Sequence, residues 1–270
     1  MRYDIMKIRQ KETTTMMTNK SIRQAARHQL KQTPNKYKIF LTPILLILIY
    51  TGIERILFRD DVNSLIFIFI PIMASLFILS ASLTMLDIWR KKQMSPTFTD
   101  STRGFSLSFL GKYILVSLLR FIYFIPFIVL FIISSATILF LLYSYTPLGN
   151  HIPFLNDIIA TFGWGISLIV IFILFALIFL APWHYAFSQA EFILAEQLAL
   201  NTYTSPHHVL MTSRRLMKGH RKQAFFLDLS FIGWFILNEL TANLLMIYIL
   251  PYYTTAKVVF YDQLTKHHQS

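Results

Sequence analysis

From residue 121 to residue 143 the chain reads FIYFIPFIVLFIISSATILFLLY, with no charged side chain. A helix crossing a bilayer needs about 20 predominantly apolar residues. A stretch that long and apolar on every side has no polar face to offer water. Comparable runs cover 37–58, 65–86, 158–186 and 225–250. Composition agrees: 55% of residues are hydrophobic and 14% charged, whereas soluble domains carry about 25% charged residues. Lipid is therefore the solvent, and the fold class is all-α, a polytopic membrane helix bundle.

Charge placement orders the runs. Ten of the 25 Lys and Arg precede Ile39. Five more (Arg90, Lys91, Lys92, Arg103, Lys112) follow the second run, and another five (Arg214, Arg215, Lys218, Arg221, Lys222) follow the fourth. The opposite loops hold only Arg55 and Arg59. Lys and Arg concentrate on the cytoplasmic side, so the N-terminus is expected inside. The last run is either one span or a hairpin. Asn238, Glu239 and Asn243 at mid-membrane depth would be costly, which favours a hairpin whose turn faces outside. The expectation is six spans at about 37–58, 65–86, 115–143, 158–186, 223–239 and 243–262, N-in and C-in. They form a bundle over 39–264, after a basic cytoplasmic segment 1–38 and before a tail 265–270. Residues 1–38 show no short apolar core of a cleavable signal peptide.

Two cytoplasmic segments predict amphipathic helices lying in the headgroup layer. In 21–31, Ser21 is the expected cap, with Ile22, Ala25, Ala26 and Leu30 on one face and Arg23, Arg27 and Lys31 on another. In 205–220, Ser205 is the expected cap, Pro206 takes the first helical position and Gly219 the stop. The net charge of +12 argues for attraction to anionic lipid rather than nucleic acid, because it sits in loops between apolar runs.

No catalytic signature is present: no phosphate-binding glycine loop, no H-E-x-x-H and no G-x-S-x-G. The chain has no Cys, which removes disulfides and thiolate metal sites. The histidine pairs 207–208 and 267–268 are adjacent in sequence and point about 100° apart on a helix, unlike an i, i+4 metal pair. No cofactor or metal is expected. Three intramembrane polar groups stand out. Arg120 reads as a snorkelling anchor and His184 as interfacial. Asp228 lies six residues past Lys222, about 9 Å of helix rise. An acid there is a functional candidate by default; the preferred alternative is an internal tether against a neighbouring cation. Glu191 and Glu196 are expected in water, and Asp87 in an ordinary interfacial belt. Ser80-Ala81-Ser82, Ser134-Ser135-Ala136 and the Gly163, Ser167 pair could let helices approach closely. LAPWHY at 180–185 weakly echoes ILPYY at 249–253.

The C-terminal part carries a resemblance. Ser213, Arg214, Leu216, Met217, Lys218 and Gly219, then LSFIGW at 229–234, Pro251, Tyr252, Ala256, Phe260 and Tyr261 resemble the signature of the DUF975 integral membrane proteins. SIRQAARHQL at 21–30 is similar to that family's opening amphipathic segment. The chain departs from the pattern at Thr241-Ala242-Asn243, where the family usually has a glycine-rich turn. The resemblance implies a multi-pass protein of the bacterial cytoplasmic membrane, mostly from Gram-positive organisms. It also implies a distant likeness to the membrane domain that accompanies some glycerophosphodiester phosphodiesterases, and it carries no activity.

The functional expectation is a non-enzymatic accessory or scaffold protein in envelope homeostasis or export. It would bind anionic lipid, or a membrane-protein partner, through Arg214, Arg215, Lys218, Arg221, Lys222, Arg90, Lys91 and Lys92. A small transporter or channel with a polar path near Asp228 is the alternative, and a membrane-embedded lipid-modifying enzyme is the second.

Overall fold

The computed structural model describes residues 16–57, 64–145, 170, 172 and 174–269. Most of the expected span 158–186, with Gly163 and Ser167, lies outside them. The described residues are helical and contain no strand: α1 (Asn19–Gln32), α2 (Tyr37–Leu57), α3 (Ser64–Trp89), a 3-10 segment (Phe98–Phe105), α4 (Leu107–Tyr145), a π turn (Ala176–Leu180), α5 (Ala181–Ala186), α6 (Ala190–Ala199), α7 (Pro206–Leu216), α8 (Arg221–Leu229), α9 (Ile232–Leu240) and α10 (Met246–Gln269).

Among the described residues, three helices are long and apolar enough to cross a membrane, through Tyr37–Glu54, Phe69–Trp89 and Leu107–Thr137. The last window is only 6% buried. Its exposed Ile114, Leu118, Phe121, Ile125 and Ile132 form an apolar surface that suits lipid rather than water. Residues 223–239 are not one continuous helix. α8 and α9 are nine residues each and meet at Ser230-Phe231, where Phe231 N–H turns back to the Asp228 carbonyl at 2.9 Å. Each is about 13 Å long, less than the ~30 Å hydrocarbon core.

The turn between α9 and α10 explains the departure at residues 241–243. Ala242 and Asn243 both take positive φ, 56° and 65°, the left-handed region that glycine enters freely. Asn243 N–H donates to the Asn238 carbonyl at 2.8 Å, their side chains are hydrogen-bonded, and the Asn243 amide donates to Thr51 Oγ1 of α2 at 3.0 Å. The turn is held to α2 by these amide and hydroxyl groups.

The opposite end gathers the basic segments. Met17 N–H donates to Gln263 of α10, and Gln223 of α8 donates to the Met17 carbonyl. Arg90, at the end of α3, reaches Asp262 and Glu196. The amphipathic segments differ from expectation in one respect. Ile22, Ala26 and Leu30 of α1, and Val209, Leu210 and Leu216 of α7, are buried in the protein core, so these faces pack on the bundle instead of lying in headgroups. The α1 cap is Thr18, which accepts from Ser21 N–H, rather than Ser21. Ser205 caps α7 by accepting from His208 N–H at 3.2 Å, and Gly219 follows at φ 87°. Ser80 makes the close approach its small side chain allows, accepting from Gly104 N–H at 2.8 Å. Ser134 and Ser135 instead donate back to the Phe131 carbonyl within α4.

Candidate functional site

Five cations meet around one groove. Arg214 and Arg215 occupy the last turn of α7, Lys218 follows, Gly219 reverses the chain, and Arg221 and Lys222 open α8. Ser213 fixes this turn: its Oγ donates to the Ala186 carbonyl at 2.9 Å and accepts from Gln189 N–H at 3.3 Å. The floor is Ala181, Pro182 and Tyr185 from α5, Met211 from α7 and Phe225 from α8. The groove encloses about 1070 Å³.

Its electrostatics are unbalanced. None of the five cations has a carboxylate partner among the described residues. Arg214 lies 5.3 Å over the Trp183 ring, and Arg221 Nε is buried with no hydrogen-bond partner among the described residues. A buried donor without an acceptor is destabilising. Arg221 and Lys222 also sit at the positive end of α8, which has no acid in its first turn and no side-chain cap. Cations there oppose the helix dipole, whereas an anion would answer both the dipole and the orphan donor. His220, beside the groove, faces His267 and His268 at ring distances of 5.4 and 6.3 Å. Burial first, then the two neighbouring histidines, hold its pKa below the ordinary imidazole value, while a Gln223 hydrogen bond pulls the other way.

A second, apolar cavity of about 560 Å³ adjoins the first. Phe121, Phe124 and Ile128 of α4 form one wall, with Leu180, Ala181, His184, Tyr185 and Phe225 opposite. Ala181, Tyr185 and Phe225 line both cavities.

Asp228 lies behind this wall. Tyr185 Oη donates to its Oδ2 and Tyr253 Oη to its Oδ1, each at 3.0 Å. Lys257 Nζ sits 4.8 Å from the Tyr253 ring. The direct cation partner expected for Asp228 is therefore replaced by two phenols, with Lys257 one residue further along. The two echoed segments each contribute one of these tyrosines, a convergence that composition did not show.

Other expected contacts are placed differently. Arg120 pairs with Glu191 at 3.4 Å, and Glu196 takes Arg90 and the Tyr261 hydroxyl, the latter at 2.7 Å. Neither acid is simply solvated, and Arg120 is an ion-pair partner rather than a free snorkelling anchor. Asp87 pairs with Arg103, and with Lys92 at 3.8 Å. Arg90 is engaged inside the protein, and Arg90, Lys91 and Lys92 lie outside the groove lining. Among the described residues no group of three metal-ligating side chains is present.

A family model described as a protein of unknown function, DUF975, matches residues 16–268. No curated protein and no solved structure matches.

Proposed function

The chain belongs to the DUF975 family, and from that premise we propose that it is a multi-pass protein of the bacterial cytoplasmic membrane that binds anionic lipid in the α5–α7–α8 groove. It acts there without catalysis, as an accessory or scaffold in envelope homeostasis or export. The six-span, N-in reading is part of this proposal, with the fifth crossing made by α8 and α9 in succession, and it draws support from the gathering of the basic segments at one end. The observation that carries the lipid reading is the set of five cations over an apolar floor with no carboxylate partner among the described residues, where Arg221 Nε is also buried without a hydrogen-bond partner. A phosphate-bearing headgroup supplies what is missing: negative charge, acceptor oxygens in geometry suited to guanidinium, and an apolar body for the floor.

The test uses the full chain purified in detergent, titrated with phosphatidylglycerol and with phosphatidylcholine. Tighter binding of the anionic lipid is expected, weakening with salt and lost by about tenfold or more in the Arg214→Gln, Lys218→Gln, Arg221→Gln triple variant. Equal affinity for the two lipids, or an unaffected triple variant, would refute it. The transport alternative retains one observation, the Tyr185–Asp228–Tyr253 chain behind the groove. Solute flux in proteoliposomes that is lost in Asp228→Asn would favour transport.

A further inference from the structure

We propose that the two cavities are one site, so that the groove takes a single long-chain anionic lipid end-on, its phosphate among the cations and one acyl chain in the slot beside α4. This deepens the lipid reading and rests on it.

The cavities have a common threshold in Ala181, Tyr185 and Phe225. Tyr185 decides its character. Its hydroxyl is committed to Asp228 Oδ2 at 3.0 Å, so the ring is held by its polar end and offers the threshold only carbon. A headgroup therefore stops at the cations, and an alkyl chain continues past them.

The slot wall is a helix face: Phe121, Phe124 and Ile128 stand at i, i+3 and i+7 on α4. The neighbouring face of the same helix is used for packing, with Phe127 on Trp183 at 5.3 Å and Tyr123 on Phe187 at 5.8 Å. Phe121 and Ile128 remain 57% and 40% exposed, so the slot opens laterally onto the surface where lipid would lie, and a chain can enter without crossing the polar end. Volumes of about 1070 and 560 Å³ together exceed the roughly 300–1,000 Å³ of a small-molecule pocket. Charge complementarity selects the sign of the ligand, and the apolar continuation selects a membrane lipid over a free anion.

The experiment compares dioleoyl phosphatidylglycerol, dihexanoyl phosphatidylglycerol and inorganic phosphate on the full chain, by native mass spectrometry and by protection against thermal unfolding. The wild type should hold the dioleoyl lipid about tenfold or more tighter than the dihexanoyl lipid, since each further buried methylene adds to binding, with phosphate alone weakest. Ile128→Trp, which fills the slot, should erase that chain-length preference, the dioleoyl affinity falling to that of the dihexanoyl lipid. Arg221→Gln should weaken both lipids. Where Ile128→Trp does not fold, Phe121→Trp on the same wall replaces it. The single-site proposal is overturned if slot filling leaves the chain-length preference intact, or if phosphate binds as tightly as the long-chain lipid. An Arg221→Gln protein that binds both lipids normally would instead sink the groove reading itself.

Discussion

Arg90 Nε donates to Asp262 Oδ1 at 2.9 Å, joining the end of α3 to the last turns of α10. Trp89 Nε1 donates to the other carboxylate oxygen at 2.9 Å, and Lys266 reaches that oxygen at 2.6 Å. Arg90 also holds Glu196 of α6, so one guanidinium ties three helices. The Asp262 side chain is only 3% exposed. Removing one partner of a buried pair costs more than the pair contributes, because the other charge stays buried. Arg90→Met should therefore lower unfolding stability by about 2 kcal/mol or more, read by denaturant titration in detergent. Lys92→Gln, whose side chain is 64% exposed beside Asp87, should change little. Equal effects from the two variants would contradict this assignment.

Asp228 accepts from two tyrosines on different helices, α5 and α10. Tyr185→Phe and Tyr253→Phe should each cost about 1–2 kcal/mol, since a hydrogen bond to a charged acceptor is lost. The double variant should fall short of additivity if the phenols act through the same carboxylate. Asp228→Asn should also destabilise, because one phenol would face an amide N–H and Lys257 would lose its nearby acid. Two single variants as stable as wild type would remove Asp228 from the list of structural tethers.

Much of this was legible in the chain. Apolar run length located α2, α3 and α4, and the Ser205, Pro206, Gly219 pattern located α7 and its stop, because caps and run lengths are local properties. Partner choice was not legible. Glu191 and Glu196 read as solvated because they follow an apolar run, and only tertiary packing brings Arg120 and Arg90 to them. Asp228 stood out in the sequence, but its partners did not: Tyr185 and Tyr253 are 68 residues apart, and the only trace of their meeting was the repeated proline-aromatic pattern. The groove's cations were found as a basic loop, but its floor residues Pro182, Met211 and Phe225 carry no signal until the helices are assembled.

The α9–α10 turn predicts a stabilising substitution. Ala242 holds φ at 56°, where a Cβ crowds the following carbonyl at a cost of about 1–2 kcal/mol. Ala242→Gly should raise the unfolding midpoint by an amount corresponding to about 1 kcal/mol, less whatever glycine gains in the unfolded chain. Ala242→Val should lower it. A Gly variant less stable than wild type would mean the turn is not left-handed in solution.

The 3-10 segment predicts the reverse for a glycine. A Cβ built on Gly104 would lie 2.8 Å from Ser80 Oγ and 3.2 Å from the Leu76 carbonyl. Ser80 Oγ cannot simply withdraw, because it accepts from Gly104 N–H and donates to that same carbonyl at 2.9 Å. Gly104→Ala should destabilise by about 1–3 kcal/mol through overpacking. Gly111→Ala, which meets no atom within 4 Å, should be neutral or slightly stabilising in its helix. Unfolding midpoints of the two variants measured side by side check the contrast.

His220 makes stability depend on pH near neutrality. Its folded pKa lies below the ordinary value, first because of burial and then because His267 and His268 stand beside it. As pH falls through about 6.5 the unfolded chain takes up this proton before the folded protein does. The stability present above pH ~6.5 is therefore lost progressively as pH drops, until the folded protein also titrates. The loss should appear at the junction of α8 with the end of α10, where the three rings meet. His220→Gln removes one titrating group and should reduce the pH dependence of the unfolding midpoint across pH 5 to 7, about the range in which imidazole changes charge. The same acidification adds positive charge next to Lys218 and Arg221, so anionic-lipid affinity should rise while the fold weakens. A wild-type midpoint that is flat over this range, or a slope undiminished in His220→Gln, would remove His220 from the pH response.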